Sequence, residues 1–120
     1  MMELTDLDEL RGEVPQRKEG LDVRLWRGLQ DGFLEAMSNV PREIVNHSTD
    51  GFEWGYLGSG PADLALNILY CFLDYPRAWT LHQAFKEDFL AGMPAEGGEI
   101  KKDLINNWIV EKMREIRLTG

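Results

Sequence analysis

Residues 50–73 constrain the fold more than any other part of this chain, because three different local patterns follow one another there. Phe52, Trp54 and Tyr56 occupy every second position, which is the side-chain period of a β-strand with one aromatic face. A glycine-rich turn follows, and then a run from 61 to 73 in which nearly every residue is apolar. The stretch therefore predicts an aromatic strand that turns directly into a central helix buried on most sides.

The turn Gly58-Ser59-Gly60-Pro61 has the composition of a helix entrance. Pro61 fits the first helical position, since its missing N–H would have no partner there, and Ser59 or Gly60 is expected to be the N-cap. Asp63 is then expected in the first turn, where its charge matches the helix dipole. Free amides at such a turn either form a structural cap or contact an anionic ligand. The turn lacks the Lys-Ser/Thr pair of a P-loop and the spacing of a dinucleotide fingerprint.

Asp63, Asn67 and Tyr70 form one polar stripe on the otherwise apolar central helix, at spacings of four and three residues. One interpretation is that the stripe faces solvent or anchors the aromatic strand by hydrogen bonds. The other is that it lines a polar pocket together with Glu53 and Tyr56. In that case Glu53, Asp63 and Tyr56 are the candidate residues for acid–base catalysis.

The segment before this stretch predicts a β-hairpin. Residues 21–29 alternate between apolar and polar, and Asp31-Gly32 is a typical hairpin turn. Residues 33–40 are expected to return as the second strand, although the helix formers Leu34 to Met37 also permit one helical turn.

Two further helices are predicted after the central one. A connector over 74–79 is expected to lead to Thr80, which with Gln83 fits a capping box. Gly92 and Pro94 end that helix, and a loop over 94–98 precedes the last one. The expected fold class is α+β, a small antiparallel sheet (about 22–56) packed against three helices (about 61–73, 80–91 and 99–116). Residues 1–20 are expected to be an N-terminal arm or short helix, and 21–120 a single domain.

Charge and composition narrow the classes of partner. The chain has 120 residues, a net charge of −8 and a pI near 4.7, which is the wrong sign for general binding to a phosphate backbone. Direct nucleic-acid binding is therefore not expected, whereas an acidic decoy of a nucleic-acid-binding protein stays open. No basic leader opens the chain, and Asp63 and Asn67 interrupt its longest apolar run, so we expect neither a signal peptide nor a membrane span, and a cytoplasmic location.

The sequence offers few metal or redox ligands. Its one cysteine, Cys71, lies in an apolar setting and is expected to be a small buried hydrophobic residue rather than a reactive thiol. His47 and His82 have no second histidine or cysteine at ligand spacing. We therefore expect no metal site and no cofactor.

The run Phe52-Glu-Trp-Gly-Tyr-Leu-Gly-Ser-Gly-Pro-Ala-Asp-Leu-Ala-Leu-Asn-Ile-Leu69 resembles the signature of an uncharacterised domain family of bacteria, archaea and their phages. His47-Ser48, Gly51, Phe85-Lys86 and Trp108-Ile109 are also similar to the family pattern, so the resemblance covers roughly residues 22–110. Leu57 departs from it, because the family usually carries glycine there. The resemblance implies family membership and no particular activity.

The sequence therefore predicts a small binding or interaction protein of phage or mobile-element origin, which contacts a protein partner or a small ligand. The alternative is a small enzyme that uses Glu53, Asp63 and Tyr56. The oligomeric state is left open. The expected ligand-contacting residues lie on the aromatic strand, the glycine turn and the polar stripe: Trp54, Tyr56, Gly58, Ser59, Gly60, Asp63 and Asn67.

Overall fold

The computed structural model describes residues 18–47 and 51–119, with side chains described up to Arg117. The expected N-terminal arm or helix over 1–20 lies almost entirely outside the described residues. Within them the chain is an α+β fold with a three-stranded antiparallel sheet and three helices, as the sequence predicts. No helix in the described ranges has both the length and the apolar character needed to cross a membrane.

The predicted hairpin is confirmed. Strand β1 (Val23–Gln30) pairs antiparallel with β2 (Phe33–Ser38) around a two-residue turn. Both turn residues have positive φ, 51° at Asp31 and 84° at Gly32, which is the backbone conformation that suits the right-handed twist of a hairpin. The rival helical turn over 34–37 does not form.

The third strand is not the aromatic segment predicted from the sequence. Residues 52–56 form no strand, and Gly55 has a φ of 92° with its N–H donating to the Leu90 carbonyl. The sheet is completed instead by β3 (Gly98–Ile100), which pairs with the start of β1 and gives the strand order β2-β1-β3. The sequence wrongly predicted a strand over 52–56 and a loop that extends to Gly98.

Helix α1 (Ser59–Tyr70) is the central helix, and every residue from Gly60 to Leu69 is buried. It starts one to two residues earlier than predicted, with Gly58 as the N-cap, and it ends earlier too. Asp63 consequently lies beyond the first turn, so it does not complement the helix dipole as expected. The helix is buried because its apolar residues surround the axis, and it packs against the second helix and the turn that follows it.

The second helix begins where a connector was predicted. Helix α2 spans Tyr75–Phe85, its N-cap Asp74 accepts from the Arg77 amide, and Pro76 lies in its first turn. The capping box at Thr80 is therefore wrong, and the Thr80 hydroxyl donates to the Pro76 carbonyl within the helix. A π-helical turn (Lys86–Leu90) continues the helix and closes with a bond from the Ala91 amide to the Lys86 carbonyl.

The last helix, α3 (Lys102–Thr119), starts later than predicted because Glu99 and Ile100 belong to β3. Its N-terminal region is tied to the sheet by the Asp22 carboxylate, which accepts from the Lys102 amide at 2.8 Å. Ile105 and Ile109 on this helix are buried, whereas Leu104 and Ile116 are exposed. The core therefore lies between the inner face of β1, helix α1 and one face each of α2 and α3.

Candidate functional site

The polar stripe on α1 anchors a neighbouring segment of the chain, which we call the clasp segment (residues 43–47). The Asn67 amide group accepts from the Glu43 and Ile44 amides at 2.8 and 2.9 Å, and donates to the Ile44 carbonyl at 2.8 Å. Asp63 accepts from the His47 amide at 2.8 Å and, less closely, from the Asn46 amide. Both side chains are at most 1% exposed. The polar stripe therefore binds the backbone of the clasp segment and not the backbone of the predicted aromatic strand.

Trp54 belongs to the hydrophobic core. It is 2% exposed, and its Nε1–H is shared between the Pro94 and Ala95 carbonyls at 3.0 and 3.1 Å. The Arg27 guanidinium lies 4.2 Å from the Trp54 ring centroid and donates to both Glu53 carboxylate oxygens at 3.0 and 3.1 Å. Arg27 Nε also donates to the Ala95 carbonyl. This set of contacts joins β1, the irregular segment before α1 and the loop before β3.

These contacts give a prediction for Arg27 and its partner. Replacing Arg27 with alanine is expected to lower the free energy of unfolding by about 1–2 kcal/mol, since it removes both the ring contact and the bond to the Ala95 carbonyl. Glu53→Gln is expected to cost below about 1 kcal/mol, because the ion pair is partly solvated. Urea unfolding followed by tryptophan fluorescence measures both changes. Equal losses for the two variants would show that the ion pair alone carries the contact.

Neighbouring side chains leave little space beside the glycines of the turn before α1. A Cβ on Gly58 would overlap the Tyr56 ring, and a Cβ on Gly60 would lie 2.8 Å from the Glu53 Cβ. The turn therefore needs glycine for close packing. Tyr56 remains 50% exposed and Leu57 64% exposed, so the bend presents an aromatic and an apolar side chain at the surface. Ser59 is exposed at the first position of α1.

The seven expected ligand-contacting residues consequently divide into two sets. Tyr56 and Ser59 are exposed at the bend with Gly58 half-buried beside them, whereas Trp54, Gly60, Asp63 and Asn67 are buried. Of the three residues suggested for acid–base chemistry, Glu53 is paired with Arg27 and Asp63 binds backbone amides on another side of α1. Tyr56 is 50% exposed and the paired Glu53 side chain is 40% exposed, whereas Asp63 is buried.

Sequence reasoning missed a contact between the two histidines. His47 and His82 are 35 residues apart, but their Nε2 atoms lie 3.0 Å from each other. His82 Nδ1 lies 2.6 Å from the Trp79 carbonyl oxygen, so Nδ1 carries a hydrogen and donates it. Nε2 of neutral His82 is then the acceptor, and His47 donates through its own Nε2–H. No group of three or more histidine, cysteine, aspartate or glutamate side chains within the described ranges is arranged to hold a metal ion.

The surroundings of His82 lower its pKa below the ordinary value of 6.5. Burial is the main cause, and the neighbouring His47 and Lys86 act in the same direction. The bond to the Trp79 carbonyl and the carboxylate of Asp63 oppose the shift without reversing it. The imidazole of His82 is therefore neutral at physiological pH.

A lowered folded-state pKa predicts a loss of stability in acid. The contribution of His82 to the free energy of unfolding is fully present above pH 6.5 and is lost as the pH falls through the lowered folded-state pKa, because the unfolded chain binds the proton more readily. Urea unfolding between pH 7.5 and 5 measures the change. The variant His82→Phe is expected to flatten this part of the profile, and an unchanged slope in that variant would assign the effect to other groups.

Cys71 is half-buried rather than fully buried. Burial, followed by the nearby Glu43 carboxylate, raises the pKa of its thiol, while Lys18 acts in the opposite direction. Its Sγ–H donates to the Asn67 carbonyl at 3.4 Å. The thiol is thus held in its protonated, poorly nucleophilic form.

An open groove of about 520 Å³ runs beside the outer edge of β2. It is bounded on one side by the strand and on the other by the segment that leads to Trp54. Its lining combines apolar and charged side chains: Leu34, Glu35, Ala36, Ser38, Val40, Arg42, Gly51, Phe52 and Glu53.

The backbone of β2 offers hydrogen-bonding groups to this groove. Gln30 and Phe33 flank the two-residue turn, and the Asn39 amide donates to the Arg24 carbonyl. Because hydrogen-bonded pairs alternate along an antiparallel ladder, Phe33, Glu35 and Met37 bond to β1. The N–H and C=O groups of Leu34, Ala36 and Ser38 point away from it, toward the free edge of the sheet. No strand within the described residues pairs with that edge.

Fold and site together define a small α+β domain with a free sheet edge beside a groove. The chain belongs to a family of unknown function, DUF6166, whose model matches residues 23–111. This region contains the whole sheet, α1, α2 and the first half of α3. Neither a curated protein nor a solved structure matches the chain.

Proposed function

We propose that this protein is a binding protein that takes up an extended segment of a protein partner along the outer edge of β2. The observation that carries the proposal is the unpaired edge with a groove beside it. An extended peptide added there as a fourth strand forms main-chain hydrogen bonds with Leu34 and Ala36, and alternate side chains enter the groove. Main-chain bonds supply affinity in this mode, and the groove supplies selectivity.

The side chains at this edge indicate the chemistry of the partner. Leu29, Phe33 and Leu34 are 70–74% exposed at the end of the hairpin, which favours contact with apolar residues. Glu35 lies on the groove, and the whole chain carries a charge of −8. The partner segment is therefore an extended strand that combines apolar residues with lysine or arginine.

We infer that the bend with Tyr56, Gly58 and Ser59 contributes to the same binding surface. Glu53 lines the groove, and its Cβ lies next to Gly60 at the start of α1. The seven ligand-contacting residues expected from the sequence are not among those that line the groove, and Asp63 and Asn67 support the clasp segment instead. The cytoplasmic location and the phage or mobile-element origin stay predictions.

A peptide selection tests the proposal. We expect the protein to enrich apolar and basic peptides from a random dodecapeptide display library, with a Kd of about 1–100 μM for synthetic copies, as measured by fluorescence anisotropy. Leu34→Pro removes an outward-facing N–H without removing a bond between β1 and β2, so it is expected to weaken binding at least about fivefold. Leu34→Val keeps the N–H and is the matched control, expected to bind within about twofold of the original protein.

Two results would contradict strand addition. One is a selection that enriches no peptide. The other is equal binding by Leu34→Pro and Leu34→Val, which would place the peptide elsewhere on the surface. Circular dichroism of both variants checks that the hairpin remains folded.

A further inference from the structure

We propose that the contact between His47 and His82 is a proton-operated clasp, which holds the clasp segment against α1 and α2 and releases it when both imidazoles are protonated. Its regulatory consequence rests on the proposed function, because the released segment continues one wall of the peptide groove. The contact between the two rings supports the clasp independently of the proposed function, and the clasp can be tested without any peptide.

The contact between the two histidines tolerates one added proton. His82 donates from Nδ1 to the Trp79 carbonyl and therefore accepts at Nε2 from His47. The contact does not use Nδ1 of His47, so a proton held there leaves the Nε2–H···Nε2 bond in place as a charge-assisted bond.

The second proton cannot be accommodated in the same way. It must bind Nε2 of His82, and two N–H groups would then face each other across 3.0 Å. Two positive rings would also lie with their centroids 5.1 Å apart. The described charged groups around His82 are His47, Lys86 on the π-helical turn and Asp63 on α1, and only Asp63 favours the charged form. The rings must therefore separate.

Separation acts on the clasp segment because His47 belongs to it. The His47 ring stacks on Trp79 at a centroid distance of 5.5 Å, and its backbone amide is held by Asp63. The clasp segment has one further bond to α2, because the Asn46 side chain donates to the Tyr75 hydroxyl at 3.4 Å at the exposed surface. Once the ring leaves, the bonds of the Asn46 and His47 amides to Asp63 lose the ring contact that shields them, and the exposed bond to Tyr75 stays.

The clasp segment is continuous with the groove. Val40 and Arg42, immediately before it, line the groove, and Asn67 fixes the following Glu43 and Ile44. Coupling to the groove therefore requires that the opening at Asn46 and His47 extends through the bonds of Glu43 and Ile44 to Asn67. Peptide uptake is consequently expected to be strongest at neutral pH and weaker in acid.

The test is NMR on the untagged full chain between pH 7.5 and 5. We expect the Cε1 signal of His82 to shift in a step that lies below pH 6.5. The protection of the Asn46 and His47 amides, corrected for intrinsic exchange, is expected to fall at least tenfold across the His82 step. In His82→Phe this pH dependence is expected to disappear, because the second proton has no site.

The controls separate the clasp from a general loss of structure. His47→Phe keeps a ring on Trp79 but removes the partner of His82, and it serves if His82→Phe does not fold. Thr80→Ala, on the exposed face of α2, is expected to behave as the unmodified chain. Amide protection that is independent of pH, or a dependence that persists in both histidine variants, would overturn the clasp.

A binding measurement completes the test. Peptides selected as described above are expected to bind at least fivefold more weakly at pH 5.5 than at pH 7.5, and His82→Phe is expected to remove the difference. If a peptide binds equally at both pH values while the amides open, the coupling to the groove is wrong. If no peptide binds at all, the proposed function fails, whereas the NMR result still decides the clasp.

Discussion

Replacing Asn67 with leucine is expected to lower the free energy of unfolding by about 3–4 kcal/mol. The side chain is 1% exposed and satisfies two backbone amides and one carbonyl of the clasp segment. Leucine fills a similar volume, so the loss comes from the hydrogen bonds and not from a cavity. Three partly buried backbone groups would lose their partners, and leaving such groups unpaired costs free energy. Urea unfolding measures the loss.

The chain offers a matched control for this substitution. Asn39 also bridges backbone groups, as it accepts from the Arg24 amide and donates to the Asp22 carbonyl, but these bonds are exposed to solvent. Asn39→Leu is expected to cost only about 1 kcal/mol, because water replaces the lost partners. If both variants lost the same free energy, burial would not be the reason for the effect of Asn67.

The second large effect is expected at Gly97, where alanine is predicted to cost about 3–4 kcal/mol. Gly97 has a φ of 100°, which side-chain-bearing residues rarely adopt. An added Cβ would also overlap the Leu25 carbonyl group, which belongs to the strand that pairs with β3. Backbone atoms cannot rotate away as a side chain can, so β3 must move from β1. Urea unfolding gives the magnitude, and hydrogen exchange at Ile100 is expected to show the separation.

Gly92→Ala is the control for this prediction. No heavy atom lies within 4 Å of the position that a Cβ would occupy there, and the backbone φ is not positive. This variant is expected to change stability by no more than about 1 kcal/mol. A small effect at Gly97 would mean that the loop before β3 can rearrange freely.

Local signals explain which elements could be predicted. The hairpin follows from Asp31-Gly32 between two alternating runs, since the turn and both strands are adjacent in the chain. Helix α1 follows from its apolar composition and from the turn before it. The predicted boundaries were wrong by a few residues, and the start of α2 was missed because Asp74 had been assigned to a connector rather than to a cap.

Pairing between distant parts of the chain explains why the third strand was not predicted. The strand β3 has only three residues, and its pairing with Val23–Leu25 joins positions more than 70 residues apart. Residues 52–56 have the alternation of a strand, but Gly55 turns the backbone with a φ of 92° and Trp54 is drawn into the core. Tertiary packing overrides local preference here, as is common for short strand-like runs.

The α+β class, the hairpin and the buried central helix with its polar positions Asp63 and Asn67 could be read from the sequence. The partners of those polar groups, the contact of His47 with His82 and the groove at the outer edge of β2 appear only once the chain is folded. This difference arises because hydrophobic periodicity and turn chemistry act between near neighbours, whereas a buried polar group must find its partner anywhere in the fold.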